Sequence, residues 1–332
     1  MFCVRSTAHT YPLICVISKC MPHSMHTPTP APDVIRVTKL HVYPLKGAAG
    51  FSPQHWPVDE RGLRHDRRFM LVDETGNFIS QRTCARLALV RADIILNALH
   101  ISYPTPAQAM SKSEESARRT CDVAQRKTLQ IPLETLAIST PEPGHNSIRV
   151  QVWDDFLEVP ALWPEVDAAM SDFLGQACRL AYMPDNTMRL TSITRGEPRR
   201  NLSFADAAPL LLTSETALED LNARLEQAGS TAIPMDRFRA NIVIHGAALA
   251  ADDHWSALTI HNAKFRASNS CKRCKVITID QTTGEFQSRD PILTLATYRG
   301  DGKSVTFGQH LLVERAGTIS VGDAITIDAC ER

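Results

Sequence analysis

Residues Asn269–Asp280 read NSCKRCKVITID, and the two thiols in this stretch organise everything around it. Cys271 and Cys274 stand three apart, directly ahead of the alternating run Val276, Ile277, Thr278, Ile279, whose period of two reads as a β-strand. Lys264, Arg266, Lys272, Arg273 and Lys275 lie on or beside it, with no acid between Lys264 and Lys275. Nearby positive charge favours thiolate over thiol, and the thiolate is the form that binds soft metals or attacks electrophiles. The stretch therefore predicts at least one ionised sulfur at a strand start. What the sulfur does stays open on these residues alone. A zinc site needs two further ligands, and Cys84, Cys121, Cys178 and Cys330 form no second pair. A thioredoxin-like pair opens a helix, whereas here a strand is expected to follow. Two inert buried cysteines sit awkwardly among so many cations.

Working outward, the second half reads as mixed, with strands predominating. FRANIVIHG reads as a strand that contains Arg239, and a cation in such a pattern needs an anionic partner, either a carboxylate or a ligand. Asp206 in FADAAP is a turn residue or a pocket acid. A helix is expected after Thr213–Ser214, with Leu218, Leu221 and Leu225 on one face, and a short one in DPILTLATYR capped by Asp290. The first half reads as strands at hairpin spacing. DVIRVTKLHVYPL alternates and then slips by one residue, the mark of a bulge. RRFMLV, DETGN and FISQR form a hairpin signal, as do SIRVQVW and FLEVPAL about DD. KGAAG is a turn whose glycines would let backbone N–H groups approach an anion. Arg64, Arg67 and Arg68 cluster at a strand start. Pro164–Ala177 is the first good helix.

The fold class that follows is mainly β with some α (α+β). We expect residues 1–33 to be a disordered extension, 34–186 a β-rich N-terminal domain, barrel or sandwich, with an exposed insert at about 104–127, and 187–330 a second domain of mixed structure with strands predominating; the resemblance described next implies a β-barrel for each, the second with a few flanking helices. Lys plus Arg equals Asp plus Glu, 36 each, which argues against a generic nucleic-acid binder. No run approaches the roughly 20 apolar residues of a spanning helix. Nine cysteines in no regular framework suggest a reducing, cytoplasmic compartment.

Taken together, NLSFADAAPLLLTSETALEDLNARL, DRFRANIVIHG, KFRASNSCKRCKVITIDQTTGEF, DPILTLATYR, TFGQ and GTISVGD stand in the order of a MOSC domain, which this chain resembles over residues 34–328. Upstream, VTKLHVYPLKG, DRRFMLVDETGNFISQR and VWDDFLEVPAL are similar to the N-terminal β-barrel of one branch, the YcbX-like bacterial proteins and mitochondrial amidoxime-reducing components. The resemblance implies a molybdopterin-type molybdenum cofactor, with Cys271 as the metal ligand. It implies Lys46, Arg68 and Arg239 as phosphate contacts, and Gly47, Asn241 and Asn269 as further cofactor contacts. Asp206 falls where the family has an acid near the pocket. The implied activity is reduction of N-hydroxylated compounds such as amidoximes and hydroxylaminopurines. Electrons would come from a separate ferredoxin-like, cytochrome or flavin reductase partner, because nothing after the last MOSC motif matches the ferredoxin-like domain of some relatives. A cofactor or persulfide carrier without reductase activity is the alternative, and a MOSC fold without cofactor is a third. The chain departs from the family pattern at Gly47, where serine is common, at Ala207–Ala208, where Thr-Ser is usual, and at Ala240, where proline is usual.

Overall fold

In the structure, a computed structural model, residues 34–105, 126–136, 146–191 and 199–330 are described. The expected N-terminal extension, nearly all of the expected insert and part of the expected inter-domain segment lie outside them. The architecture is mainly β with few helices, as the patterning predicts.

The largest sheet has seven strands, in the spatial order Arg36–Leu40, Ile242–His245, Leu210–Ser214, Val305–Arg315, Ala263–Arg273, Trp255–Ile260 and Ile325–Cys330. Neighbours are antiparallel except Leu210–Ser214 and Ile242–His245, which are parallel. A parallel pair needs a crossover, and here it carries the helix Glu215–Gln227. That helix starts where expected: the Ser214 hydroxyl accepts from the Ala217 N–H at 3.0 Å, satisfying one of the amides a helix start leaves free. Ala217, Leu221 and Leu225 are buried against Phe238 and Phe307, whose rings stack at 4.0 Å.

The expected bulge lies in Arg36–Leu40, between Val37 and Lys39. The kink lets the strand pair with Ile242–His245 and also touch the far edge, where Arg36 bridges Ala324 and the Ile325 N–H donates to Ile35. The sheet thus wraps back on itself, which covers both of its edges. Its interior is filled by Leu40, Leu212, Ile242, Leu258, Phe265 and Leu311, all fully buried. The first strand of the N-terminal half is therefore an outer strand of the C-terminal sheet. In the same way Gly317–Ser320 pairs with His55–Asp59.

The remaining N-terminal residues form short antiparallel sheets: Phe69–Val72 with Arg179–Tyr182, the meander Arg91–Ile95, Ala98–Pro104 and Arg126–Pro132, and the hairpin Ser147–Val152 with Asp155–Pro160. The first sheet and the meander pack with the helix Pro164–Leu174 around Leu71, Leu87, Leu99, Ile101 and Met170, while the hairpin buries Val150, Val152 and Val159 against Met70, Val72 and Phe204. The helix has proline at its start and Gly175 in the left-handed region at its end.

Two expectations are corrected. The strand does not follow the thiols but leads into them: Ala263–Arg273 ends at Arg273, and Lys275–Thr278 is a turn of 3-10 helix. The Ile277 N–H donates to Cys274 and the Ile279 N–H to Val276, while Ile277 and Thr278 are buried. Alternating β-branched residues satisfied core packing here without extending the chain. Arg239 is likewise not in a strand. It follows the 3-10 turn Met235–Phe238 with φ of 55°, left-handed, before Ile242–His245 begins.

Candidate functional site

A cavity of about 690 Å³ opens where the long strand Ala263–Arg273 ends. Six cations line it, Lys46, Arg67, Arg82, Arg239, Lys272 and Arg273, against one carboxylate, Asp206. Lys272 and Arg273 end the long strand, while Lys46, Arg67, Arg82, Arg239 and Asp206 come from breaks in regular structure, where a side chain can turn inward without leaving ladder hydrogen bonds unmade. Lys46 follows the Leu45–Phe69 bridge. Arg67, with φ of 49°, stands two residues before the strand Phe69–Val72. Asp206 and the two alanines lie on the approach to Leu210–Ser214. Asn269 sits within the irregular pairing between Ala267 and Ser270.

Cys271 is buried, 8% exposed, in a small cluster with Leu211, Ala240 and Val243. Arg273 lies two residues along the same strand and so on the same face, and its Nη1 donates to Cys271 Sγ at 2.9 Å. Burial alone would push the thiol up, but Arg273 and the His310 hydrogen bond outweigh it and bring the pKa from 9.0 down to about 7. The thiolate is then the major form above about pH 7. In metal-free protein we predict that Cys271 alkylation by iodoacetamide accelerates through a midpoint near pH 7, and that Arg273→Gln moves this midpoint upward. Cys274, the other thiol, is exposed, with Arg82 Nη1 at 3.6 Å.

At the other side of the cavity, Arg67 and Arg239 bracket the Tyr43 ring, their guanidinium carbons 4.5 and 4.3 Å from its centroid. Arg67 is neutralised by the fully buried Asp66, and donates to Asn241 Oδ1 at 3.0 Å and to the Arg239 carbonyl at 3.1 Å. Arg239 has no such partner: its Nη2 is buried and finds no acceptor among the described residues. Burial, with Arg67 adding to it, pulls its pKa down to about 10. Arg239 lines the cavity, and a buried guanidinium nitrogen without an acceptor is expensive to keep.

Lys46 Nζ donates to the Phe204 carbonyl at 2.7 Å and pairs closely with Asp206. This pairing, helped by Arg82 and the Trp153 N–H, outweighs burial and holds the Asp206 carboxyl well below the usual carboxylate range. Gly47 has φ of 85°, and a Cβ there would lie 2.5 Å from Leu87 Cδ2. A serine would be doubly strained, which accounts for glycine at this position.

The structure thus brings together Lys46, Gly47, Asp206, Arg239, Asn241, Asn269 and Cys271. It does not bring Arg68: that side chain turns away, donating to the Met183 carbonyl at 2.9 Å and to Asp185 at 2.7 Å, and Arg67 faces the cavity instead. Asn241 lines the wall, but its amide is spent inside the protein, donating to His41 O and Asp66 Oδ1 and accepting from Arg67 and the Leu211 N–H. Arg67, Arg82, Arg273 and His310 were not singled out as site residues from sequence. Only Arg273 carried a usable signal, its i, i+2 spacing from Cys271, hidden by starting the strand too late.

A wrapped β-sheet with an ionisable thiol at one strand end, opening into a cavity lined by six cations and one carboxylate, defines a β-barrel protein with a cationic pocket. The chain belongs to the MOSC family: residues 199–326 match the MOSC domain, and residues 34–177 match the MOSC N-terminal beta barrel domain. It is 30% identical over 309 residues to mitochondrial amidoxime-reducing component 1 of Mus musculus, covering 87% of this chain and 81% of that one. It is 28% identical over 314 residues to the Homo sapiens protein of the same name, covering 87% and 82%. It is also 30% identical over 289 residues to molybdenum cofactor sulfurase of Oryza sativa subsp. japonica, covering 82% of this chain and 32% of that protein. The chain spans about a third of the length of the sulfurase it matches. Among the described residues, no helix is long and apolar enough to cross a membrane.

Proposed function

We propose that the cavity holds a molybdopterin-type molybdenum cofactor and that the protein is an oxidoreductase acting on N-hydroxylated compounds. The observation that carries this reading is the shared cavity of an ionisable thiol, Cys271, and a buried guanidinium nitrogen without an acceptor, on Arg239. Among the described residues no group of three or more His, Cys, Asp or Glu could hold a bare metal ion. A metal that brings its own donors fits such a site, because one soft thiolate completes its coordination and the cations meet its anionic anchor.

In this reading Cys271 is the metal ligand, kept anionic by Arg273 and His310. Arg239, Arg67 and Lys46 hold the phosphate, for which guanidinium forks are well matched. Asp66 and Asn241 fix Arg67, while Asp206 orients Lys46. Gly47 and Asn269 offer backbone at the wall. The molybdenum centre supplies the two-electron oxygen chemistry, and the protein supplies binding, orientation and protons. Reduction of an amidoxime consumes two electrons and two protons, breaks the N–O bond and releases amidine and water. His310, hydrogen-bonded to Cys271 and facing the cavity, is the residue that can hand on a proton there. Electrons come from a separate ferredoxin-like, cytochrome or flavin reductase partner. The five described cysteines are all free, which suits a reducing, cytoplasmic setting.

The test is turnover by molybdenum-loaded protein of benzamidoxime to benzamidine with a reduced viologen as electron source. Steady product formation supports the oxidoreductase. Loaded protein that makes no amidine yet passes its cofactor, or a sulfur carried on Cys271, to a second protein supports a carrier instead.

A further inference from the structure

The cations of the cavity differ in what neutralises them. Lys46 has Asp206, Arg67 has Asp66, and Arg273 has the Cys271 sulfur. Lys272 is exposed to solvent. Arg239 is left with a buried nitrogen lacking an acceptor, the place a cofactor phosphate would take. Arg82 is the other cation left over. Among the described residues no carboxylate lies within ion-pair distance of it; its charge reaches Asp206 only at longer range, and Asp206 already belongs to Lys46.

Arg82 is nevertheless held in place. Its guanidinium lies 4.7 Å from the Trp153 ring centroid and 5.6 Å from that of Phe78, and those two rings pack at 5.3 Å. Its Nη1 meets Cys274 Sγ at 3.6 Å. Trp153 reaches this position from a hairpin turn at φ of 57°, a conformation that bulky residues seldom adopt, and remains 44% exposed. Its indole N–H donates to Asp206 at 3.3 Å, which ties the hairpin to the cavity wall. Aromatic faces fix a guanidinium without using its in-plane N–H donors, unlike a carboxylate, so apart from the weak contact with Cys274 the Arg82 donors stay open to a ligand.

Resting on the reading above, we propose that Arg82 is an anion subsite for the substrate, and that the preferred substrates are N-hydroxylated compounds bearing a carboxylate or phosphate. The phosphate end of the cofactor has its own cations, so Arg82 selects among substrates without being needed to retain the cofactor.

The test uses cofactor-loaded full-length protein without an electron donor, so that binding is read alone, with benzamidoxime and 4-carboxybenzamidoxime as probes. Trp153 fluorescence reports occupancy beside Arg82, and Trp153→Phe identifies that signal. A charge-assisted hydrogen bond at a partly open site predicts roughly tenfold tighter binding of the carboxylate in wild type. In Arg82→Gln the ratio of the two dissociation constants falls close to one, and Arg82→Lys restores part of it. Equal binding of both probes by wild type, or a preference that survives Arg82→Gln in folded protein, overturns the proposal. Neither result depends on turnover, so the absence of any amidoxime reduction would count against the oxidoreductase reading alone.

Discussion

Replacing Cys271 by serine abolishes reduction of N-hydroxylated compounds while the protein stays folded. Serine is nearly isosteric and sits in the same small cluster of Leu211, Ala240 and Val243, so the packing cost is about 1 kcal/mol. The chemistry does not survive the exchange. A hydroxyl beside Arg273 remains protonated at neutral pH, whereas the Cys271 thiol titrates near 7. Hard oxygen is also a poor substitute for sulfur on a soft metal centre. Disturbing groups that merely orient metal ligands costs roughly 10–100-fold, and loss of the ligand itself should exceed that. Turnover of benzamidoxime, measured beside a thermal melt, checks both halves. Full activity in the serine variant with molybdenum still bound would remove Cys271 from the ligand position.

Asp66→Asn should produce the largest loss of stability among the polar residues around the cavity. Asp66 is fully buried, accepts from the Tyr43 N–H at 2.8 Å and from Asn241 Nδ2 at 3.1 Å, and pairs with Arg67. Asparagine keeps one acceptor but removes the negative charge. It leaves Arg67 facing Arg239 across Tyr43 with nothing to offset either. Breaking a buried pair by removing one partner costs about 3–5 kcal/mol, and the open side of the cavity puts this case near the lower end, at about 3 kcal/mol. Urea unfolding gives the value, and inorganic phosphate should recover more stability in the variant than in the wild type, because it offsets the two guanidinium charges that the substitution leaves unmatched. A midpoint shift below about 0.3 M, against the roughly 1 M that about 3 kcal/mol gives at a slope of about 3 kcal/mol per M, would mean Arg67 is neutralised in another way.

Much of the fold was legible because local signals agreed with the packing. The bulge in Arg36–Leu40, the Ser214 cap and the hairpin around Gly76 each follow from a few neighbouring residues. What the sequence could not convey was the interlocking of the halves, in which Arg36–Leu40 leaves its own half to pair with Ile242–His245. That partnership spans about two hundred residues and has no local signature. The site divided in the same way. Cys271, Lys46 and Arg239 were found, but Arg67 and Arg68 could not be told apart. Their directions are set by positive φ at His65 and Arg67, which breaks the alternation that would have assigned them to faces. Arg82 carries no local signal because two of its three neighbours, Trp153 and Cys274, are distant in the chain.

Molybdenum analysis of protein purified from a host that makes the cofactor tests the central claim most directly. About one molybdenum atom per chain is predicted for the wild type, falling steeply in Cys271→Ser and in Arg239→Gln. Folded wild-type protein that carries no molybdenum from such a host would contradict the account.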